Sequence, residues 1–262
     1  KWKVKVLLPG KQDVLLGERE IKIEEFVPPQ VRVKLKDLPQ PNADVTNITY
    51  KVAAEHLFGG PAKKITAESL VSFTDVDFTP EKWKGFRFGD AKRGLKPNYT
   101  RLERIFTDER GEATFTVGMD PDWGDPKAAV RVTIQGSVFE TGGRPSVTRE
   151  SRVLHRYPYY IGTDIPRYIR QKPGTGTFSV VQVEPDGRTH QVARELTARL
   201  WKVEYVYNLV QDELRPKEYY WDSQQVRRPV EIDKTIQIGT NGVGSVKLPL
   251  SGSGDYELSV ED

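Results

Sequence analysis

The sequence predicts an all-β protein made of tandem antiparallel β-sandwiches of the fibronectin or immunoglobulin kind. Three observations lead there. Apolar side chains recur at every second position in run after run, which is the period of a half-buried strand. Turn residues break these runs at intervals of about ten residues, the spacing of a sandwich. No stretch carries a convincing helical pattern. The 262 residues are 37% hydrophobic and 10% aromatic, enough for one large or two ordinary packed domains.

Residues 1–27 read as two strands. Trp2, Val4, Val6 and Leu8 alternate with lysines and Leu7 until Pro9-Gly10 ends the run. A second alternation spans 20–27, and Pro28-Pro29 stops it, because proline cannot continue a ladder and stiffens the chain after it. Two strands cannot bury a core alone. They read as the closing strands of a preceding domain, with pairing onto the next domain's sheet as the alternative.

A first complete unit spans 28–155. Val31, Val33 and Leu35 alternate with Arg32, Lys34 and Lys36, so one face is charged. Ile48, Tyr50 and Val52 form the apolar face of the next strand, which runs through His56-Leu57-Phe58 into a Gly59-Gly60-Pro61 corner. His56 is expected to be packed or hydrogen-bonded. A further extended run covers 65–78, followed by an aromatic loop at 80–89 with Trp83, Phe86 and Phe88. Runs at 102–106 and 113–117 flank the polar Asp108-Glu109-Arg110-Gly111, which predicts a hairpin. The longest strand pattern is 128–139; Gly142-Gly143-Arg144-Pro145 then turns the chain into 147–153.

A second unit spans 156–262. Residues 178–183 read as a strand and Pro185-Asp186-Gly187-Arg188 as a turn. Over 196–210, β-branched and aromatic residues at alternate positions favour strand over helix. Another strand covers 230–238, a glycine-rich turn 239–245, and a last strand 254–260.

Several motifs in this order resemble one family. Leu57-Phe58-Gly59-Gly60-Pro61-Ala62 is similar to a corner of macroglobulin-type domains in bacterial alpha-2-macroglobulin-like proteins. Ile23-Glu24-Glu25-Phe26-Val27-Pro28-Pro29 resembles the close of a preceding macroglobulin domain. Residues 108–113 and Val138-Phe139-Glu140-Thr141-Gly142-Gly143-Arg144-Pro145 match the family's turn and long-strand pattern. Tyr157-Pro158-Tyr159-Tyr160-Ile161-Gly162 resembles the start of the next domain, and Gly254-Asp255-Tyr256-Glu257-Leu258-Ser259-Val260 its last strand. The resemblance covers nearly the whole chain and is weakest over 208–228. It implies scaffold domains of a broad-range endopeptidase inhibitor that traps proteases by conformational change. The partners implied are target proteases, met through a full-length parent, and neighbouring macroglobulin domains. The implied location is the periplasm or cell envelope, with an inner-membrane lipid anchor outside this sequence as the route to a membrane. A tandem sandwich module for adhesion or ligand binding is the alternative.

The chemistry legible in the residues is non-enzymatic. With 40 basic and 37 acidic residues the surface is of mixed charge, without the basic excess that nucleic-acid binding needs. There is no cysteine, which excludes disulfides, thiolate metal sites, thiol catalysis and a thioester within these residues. His56, His155 and His190 are far apart and lack ligand spacing, so no metal or cofactor is expected. No serine stands in a nucleophile elbow; Gly252-Ser253-Gly254 precedes a strand. Gly174-Thr175-Gly176 lacks the third glycine and the helix of a dinucleotide site. The aromatics of the Trp83 loop and of Tyr219-Tyr220-Trp221 are expected to pack against a neighbouring domain, with stacking on sugars or bases as the lesser alternative. One functional candidate remains, the segment 208–228. Its mix of Leu214, Arg215, Lys217, Tyr219, Tyr220, Arg227 and Arg228 offers cleavage sites to proteases of different specificity, as the family's bait segment does. The favoured reading is a hairpin tipped by Arg215-Pro216, with 219–221 starting the return strand.

Overall fold

The structure is a computed structural model that describes residues 2–9, 14–21, 30–140, 145–211, 215 and 217–262. The described residues form antiparallel strands, with two 3-10 turns, Glu81–Trp83 and Pro121–Trp123. The strands are β1 (Trp2–Leu8), β2 (Val14–Ile21), β3 (Val31–Lys36), β4 (Ile48–His56), β5 (Thr66–Val76), β6 (Arg87–Phe88), β7 (Thr100–Phe106), β8 (Glu112–Val117) and β9 (Ala129–Phe139). They continue as β10 (Ser146–Leu154), β11 (Tyr160–Thr163), β12 (Tyr168–Ile169), β13 (Gly174–Val183), β14 (Arg194–Gln211), β15 (Tyr219–Ile238), β16 (Val243–Leu250) and β17 (Gly254–Glu261).

β1 and β2 pair with each other as a two-stranded sheet. Lys3 and Lys5 reach Glu18 on one face, at 2.6 and 3.5 Å. Val4, Val6, Leu7 and Leu15 are exposed. β2 begins ahead of the alternation predicted over 20–27, of which Glu20 and Ile21 alone are among the described residues. Residues 22–29, with the Ile23–Pro29 motif, lie outside the described residues.

The first sandwich packs the sheet β3-β4-β8 against β10-β9-β5-β7. Alternate residues of β4 (Ile48, Tyr50, Val52) meet Val71 and Phe73 of β5 and Val130, Val132 and Ile134 of β9 in one buried cluster. Each such side chain contributes about 1.5–3 kcal/mol relative to exposure. The Tyr50 hydroxyl would be costly to bury alone, and it shares a 2.6 Å hydrogen bond with Ser69, which donates to the Gln135 carbonyl.

The predicted hairpin over 102–117 is not formed. β7 pairs with β5 in one sheet and β8 with β4 in the other, so the chain crosses between layers. Buried Thr107 pins the crossing: its hydroxyl donates to the Ala62 carbonyl at 2.7 Å and accepts from the Ile65 amide at 3.0 Å. Asp108 closes the turn by accepting from the amides of Arg110 and Glu112. Gly111, at φ 74°, sits where a Cβ would lie 2.5 Å from the Ala54 carbonyl oxygen. A polar loop with glycine marks a turn, but it does not say whether the next strand stays in the same sheet. His56, expected to be packed or hydrogen-bonded, is exposed at the end of β4.

The second sandwich is one continuous sheet, β12-β17-β14-β15-β16-β13-β11-β6. β15 meets β16 at the single pair Ile238–Gly244, where the sheet folds over into two layers. Between the layers lie Phe178, Val180, Val246 and Leu248 on one side and Leu196, Leu200, Ile236 and Tyr256 on the other. β16 overlaps the glycine-rich turn predicted over 239–245 and runs on to Leu250, with Val246, Leu248 and Leu250 alternating with Ser245, Lys247 and Pro249.

Candidate functional site

Two features stand out from the sandwiches: the joint between them and a ribbon that runs beyond the second. The joint is built by the loop after β5. Its two-residue strand β6 joins the sheet of the second sandwich by pairing Phe88 with Gly162 and Arg87 with Thr163. The loop thus lends a strand to the neighbouring domain. Around it Phe78, Ala128, Tyr160, Val181 and Val183 form a small buried cluster, with Trp83, Phe86 and Phe88 packed on it. Phe78 stacks on Tyr160 at 4.4 Å and meets Phe88 edge-on at 5.1 Å.

Polar contacts complete the joint. Trp83 Nε1 donates to the Gly187 carbonyl at 3.3 Å. Lys92 reaches Glu257 of β17 at 2.6 Å and lies over the Trp201 ring. His155 Nδ1 is 3.1 Å from the Tyr160 hydroxyl. Burial holds the His155 pKa below its ordinary value and pushes the Tyr160 hydroxyl up to about 12. Beside the joint is an open cleft of about 1010 Å³, whose lining includes Asp77, Glu81, Glu184 and Asp186 as well as Lys82 and Arg188.

The ribbon is the outer half of β14 and β15. The two strands pair from Arg194–Ile238 out to Gln211–Tyr219, 18 and 20 residues long. Two irregularities, between Ala198 and Leu200 and between Leu200 and Trp201, interrupt the register where the ribbon leaves the sandwich. Asp233, at φ 54°, lies in this region and accepts from Arg199 at 2.7 Å. Beyond Glu204 none of the described residues of the ribbon is buried.

The candidate cleavage residues fall on this ribbon. Tyr219 and Tyr220 pair with Gln211 and Val210, and Arg227 and Arg228 with Val203 and Lys202. Arg227 binds Glu257 at 2.8 Å and Arg228 binds Glu204 at 2.5 Å. Arg215 and Lys217 stand at the turn, where the Arg215 carbonyl accepts from the Glu218 amide at 2.8 Å and its guanidinium reaches the Glu218 carboxylate. Leu214 lies outside the described residues. A protease takes its substrate as an extended, unpaired strand, so four of these residues are held by the ladder in a form it cannot accept. The packing expected of the two aromatic groups divides. The Trp83 loop is packed at the joint, whereas Tyr219, Tyr220 and Trp221 are exposed, because no third layer of the described residues covers this part of the sheet.

Among the described residues no group of three or more His, Cys, Asp or Glu is placed to hold a metal, and no helix is long and apolar enough to cross a membrane. Sequence reasoning missed the Phe88–Gly162 pairing. A two-residue strand has no period to detect; the only signal was the density of aromatics in the loop.

Comparison with known proteins adds the family context. Residues 30–155 match the model of the bacterial alpha-2-macroglobulin MG5 domain, and residues 169–262 that of bacterial macroglobulin domain 6. The chain is 25% identical to an alpha-2-macroglobulin of Rickettsia conorii over 256 residues, 94% of this chain and 13% of the relative. It is 23% identical to that of Escherichia coli over 260 residues, 91% of this chain and 15% of the relative. The chain therefore spans well under a fifth of the length of these relatives. Its fold is similar to native E. coli alpha-2-macroglobulin, with TM-score 0.59 and 19% identity over 95% of this chain and 16% of that one. It is equally similar in fold to the E. coli protein activated by porcine elastase, with TM-score 0.59 and 20% identity over 96% of this chain and 22% of that one.

Proposed function

The chain belongs to the bacterial alpha-2-macroglobulin family, and from that premise we propose that it is scaffold within a protease trap. Its two sandwiches hold the cleavable and protease-contacting parts of a longer polypeptide in their uncleaved arrangement, in the periplasm or cell envelope. Proteases are the targets of that polypeptide, and no catalytic role falls to these residues.

The observation that carries the reading is the joint. Two sandwiches linked only by a flexible tether could not transmit or resist a rearrangement. Here a strand of one domain is built into the sheet of the other, and aromatic packing and the Lys92–Glu257 pair brace it. The ladder of the ribbon supports the same reading, since it withholds Tyr219, Tyr220, Arg227 and Arg228 from a protease cleft.

The test is limited proteolysis of the longer polypeptide with several unrelated proteases, mapping the earliest cuts by mass and following compaction by scattering. Early cuts outside these 262 residues, followed by compaction, are expected. Shared early cuts within 208–228 that trigger compaction would make this segment the bait. No shared cut and no compaction would count against the trap itself.

A further inference from the structure

The outer ribbon carries apolar side chains on both faces and is open at both edges. β17 accompanies β14 only from Thr197 to Val203, and β16 meets β15 only at Ile238. Beyond those points no described strand pairs with the outer edges of the ribbon. Cross-strand register sorts the side chains. Tyr205, Tyr207 and Leu209 share a face with Tyr219 and Trp221, because Leu209 pairs with Trp221 and Gln211 with Tyr219. These five are 40, 62, 55, 60 and 68% exposed, and Val206 and Tyr220 on the opposite face are 42 and 53% exposed. A lone two-stranded ribbon is marginally stable in water. The face of Tyr207, Leu209, Tyr219 and Trp221 is contiguous, which marks an interaction site, whereas on the opposite face Asn208 and Asp222 lie between Val206 and Tyr220.

We propose that this ribbon is a docking blade, inserted between apolar surfaces of further β-sandwich domains of the same polypeptide. The proposal rests on the scaffold reading above and names its partner. Three observations select this occupant. First, the relatives extend far beyond the matched region, which is 13–16% of their length, so other domains are available to cover the blade. Second, the two sandwiches seen here dock in the same chemical manner, through Phe78, Trp83, Phe86 and Phe88 against a neighbouring sheet. Third, the blade has apolar groups on two faces. A symmetric pair of chains would cover one face and leave the other to recruit more copies, an assembly that does not close. A glycan site is disfavoured by shape. The surface projects, where small-ligand sites are concave.

At the blade's base Arg228 binds Glu204, and Arg227 shares the Glu257 carboxylate with Lys92.

The experiment places the photo-crosslinking residue p-benzoylphenylalanine at Tyr207 in the longer polypeptide, with Arg149 of β10 as the control position. Hydrogen exchange of the ribbon amides is compared between the longer polypeptide and the 262-residue chain. The expected result is an intramolecular crosslink from 207, independent of protein concentration, to a segment outside these residues. Ribbon amides should exchange at least about tenfold more slowly in the longer polypeptide, and Tyr207→Asp with Trp221→Asp should remove that protection. Crosslinks between copies that grow with concentration, capture of glycan or lipid, or equal exchange in the two proteins would overturn the proposal. Compaction after cleavage is read on the same preparation. Compaction without ribbon protection rejects the blade and keeps the scaffold reading, and protection without compaction does the reverse.

Discussion

Phe88 and Gly162 face each other across the bridge that joins the two sandwiches, and the phenyl ring occupies the space that any side chain at 162 would need. A Cβ on Gly162 would lie 2.3 Å from Phe88 Cε1. The ring cannot swing aside freely, because Phe78 holds it edge-on at 5.1 Å. Gly162→Val should therefore destabilise the protein by about 1–3 kcal/mol, the range for overpacking. Denaturant unfolding measures the loss. Amide exchange should rise at 87–88 and 162–163 and stay unchanged in β4, since the damage is confined to the joint. Phe88→Ala in the same chain should recover part of the stability, which a double-mutant cycle would read as coupling.

Alkaline pH should loosen both the first core and the joint. Burial pushes the Tyr50 and Tyr160 hydroxyls up to about 12 from an ordinary value near 10. The folded form thus keeps protons that the unfolded form releases. The stability is fully present below about pH 10 and is lost as pH rises from there towards about 12. Stability measured from about pH 9 upward should fall steeply in this window, and Tyr50→Phe should flatten the slope. At neutral pH that substitution should cost about 1 kcal/mol for its buried hydrogen bond to Ser69.

Acid should act on the joint through His155. Desolvation depresses its pKa, so protonation favours the unfolded form. The contribution is present above the ordinary histidine pKa of about 6.5 and is lost as pH falls below it. The thermal midpoint should drop as pH falls below about 6.5, and His155→Gln should show a shallower drop. An unchanged pH slope in that variant would remove His155 from the account.

Trypsin should find the tip of the ribbon before its stem. Lys217 stands at the turn, whereas Arg227 and Arg228 are paired in the ladder and bound to carboxylates. Mass mapping of brief digests of the 262-residue chain should show cleavage after Lys217 well before cleavage after Arg227 or Arg228. Early cutting at the arginines would mean that the ladder opens readily.

Strand character is legible in the sequence wherever one face is buried, because burial imposes a period of two: Ile48, Tyr50 and Val52 are all in the core. Strand partnership is not legible in the same way. β7 and β8 look like a hairpin, yet the contacts of Thr107 send them into different sheets. The alternation of Val246, Leu248 and Leu250 is present but hidden by the glycines before it. At the candidate site, the mixture of cleavable residues says nothing of the ladder that pairs them. The joint depends on a two-residue strand and on the missing side chain at Gly162, whose place the Phe88 ring takes, and neither leaves a periodic trace.

The scaffold account requires above all that the two sandwiches move as one body. Residual dipolar couplings of the 262-residue chain test this most directly, with amides of β4, β5 and β9 compared with those of β13, β14 and β16. The account expects one alignment tensor to fit both sets, and Gly162→Val to separate them. Two independent tensors in the unaltered chain would contradict it.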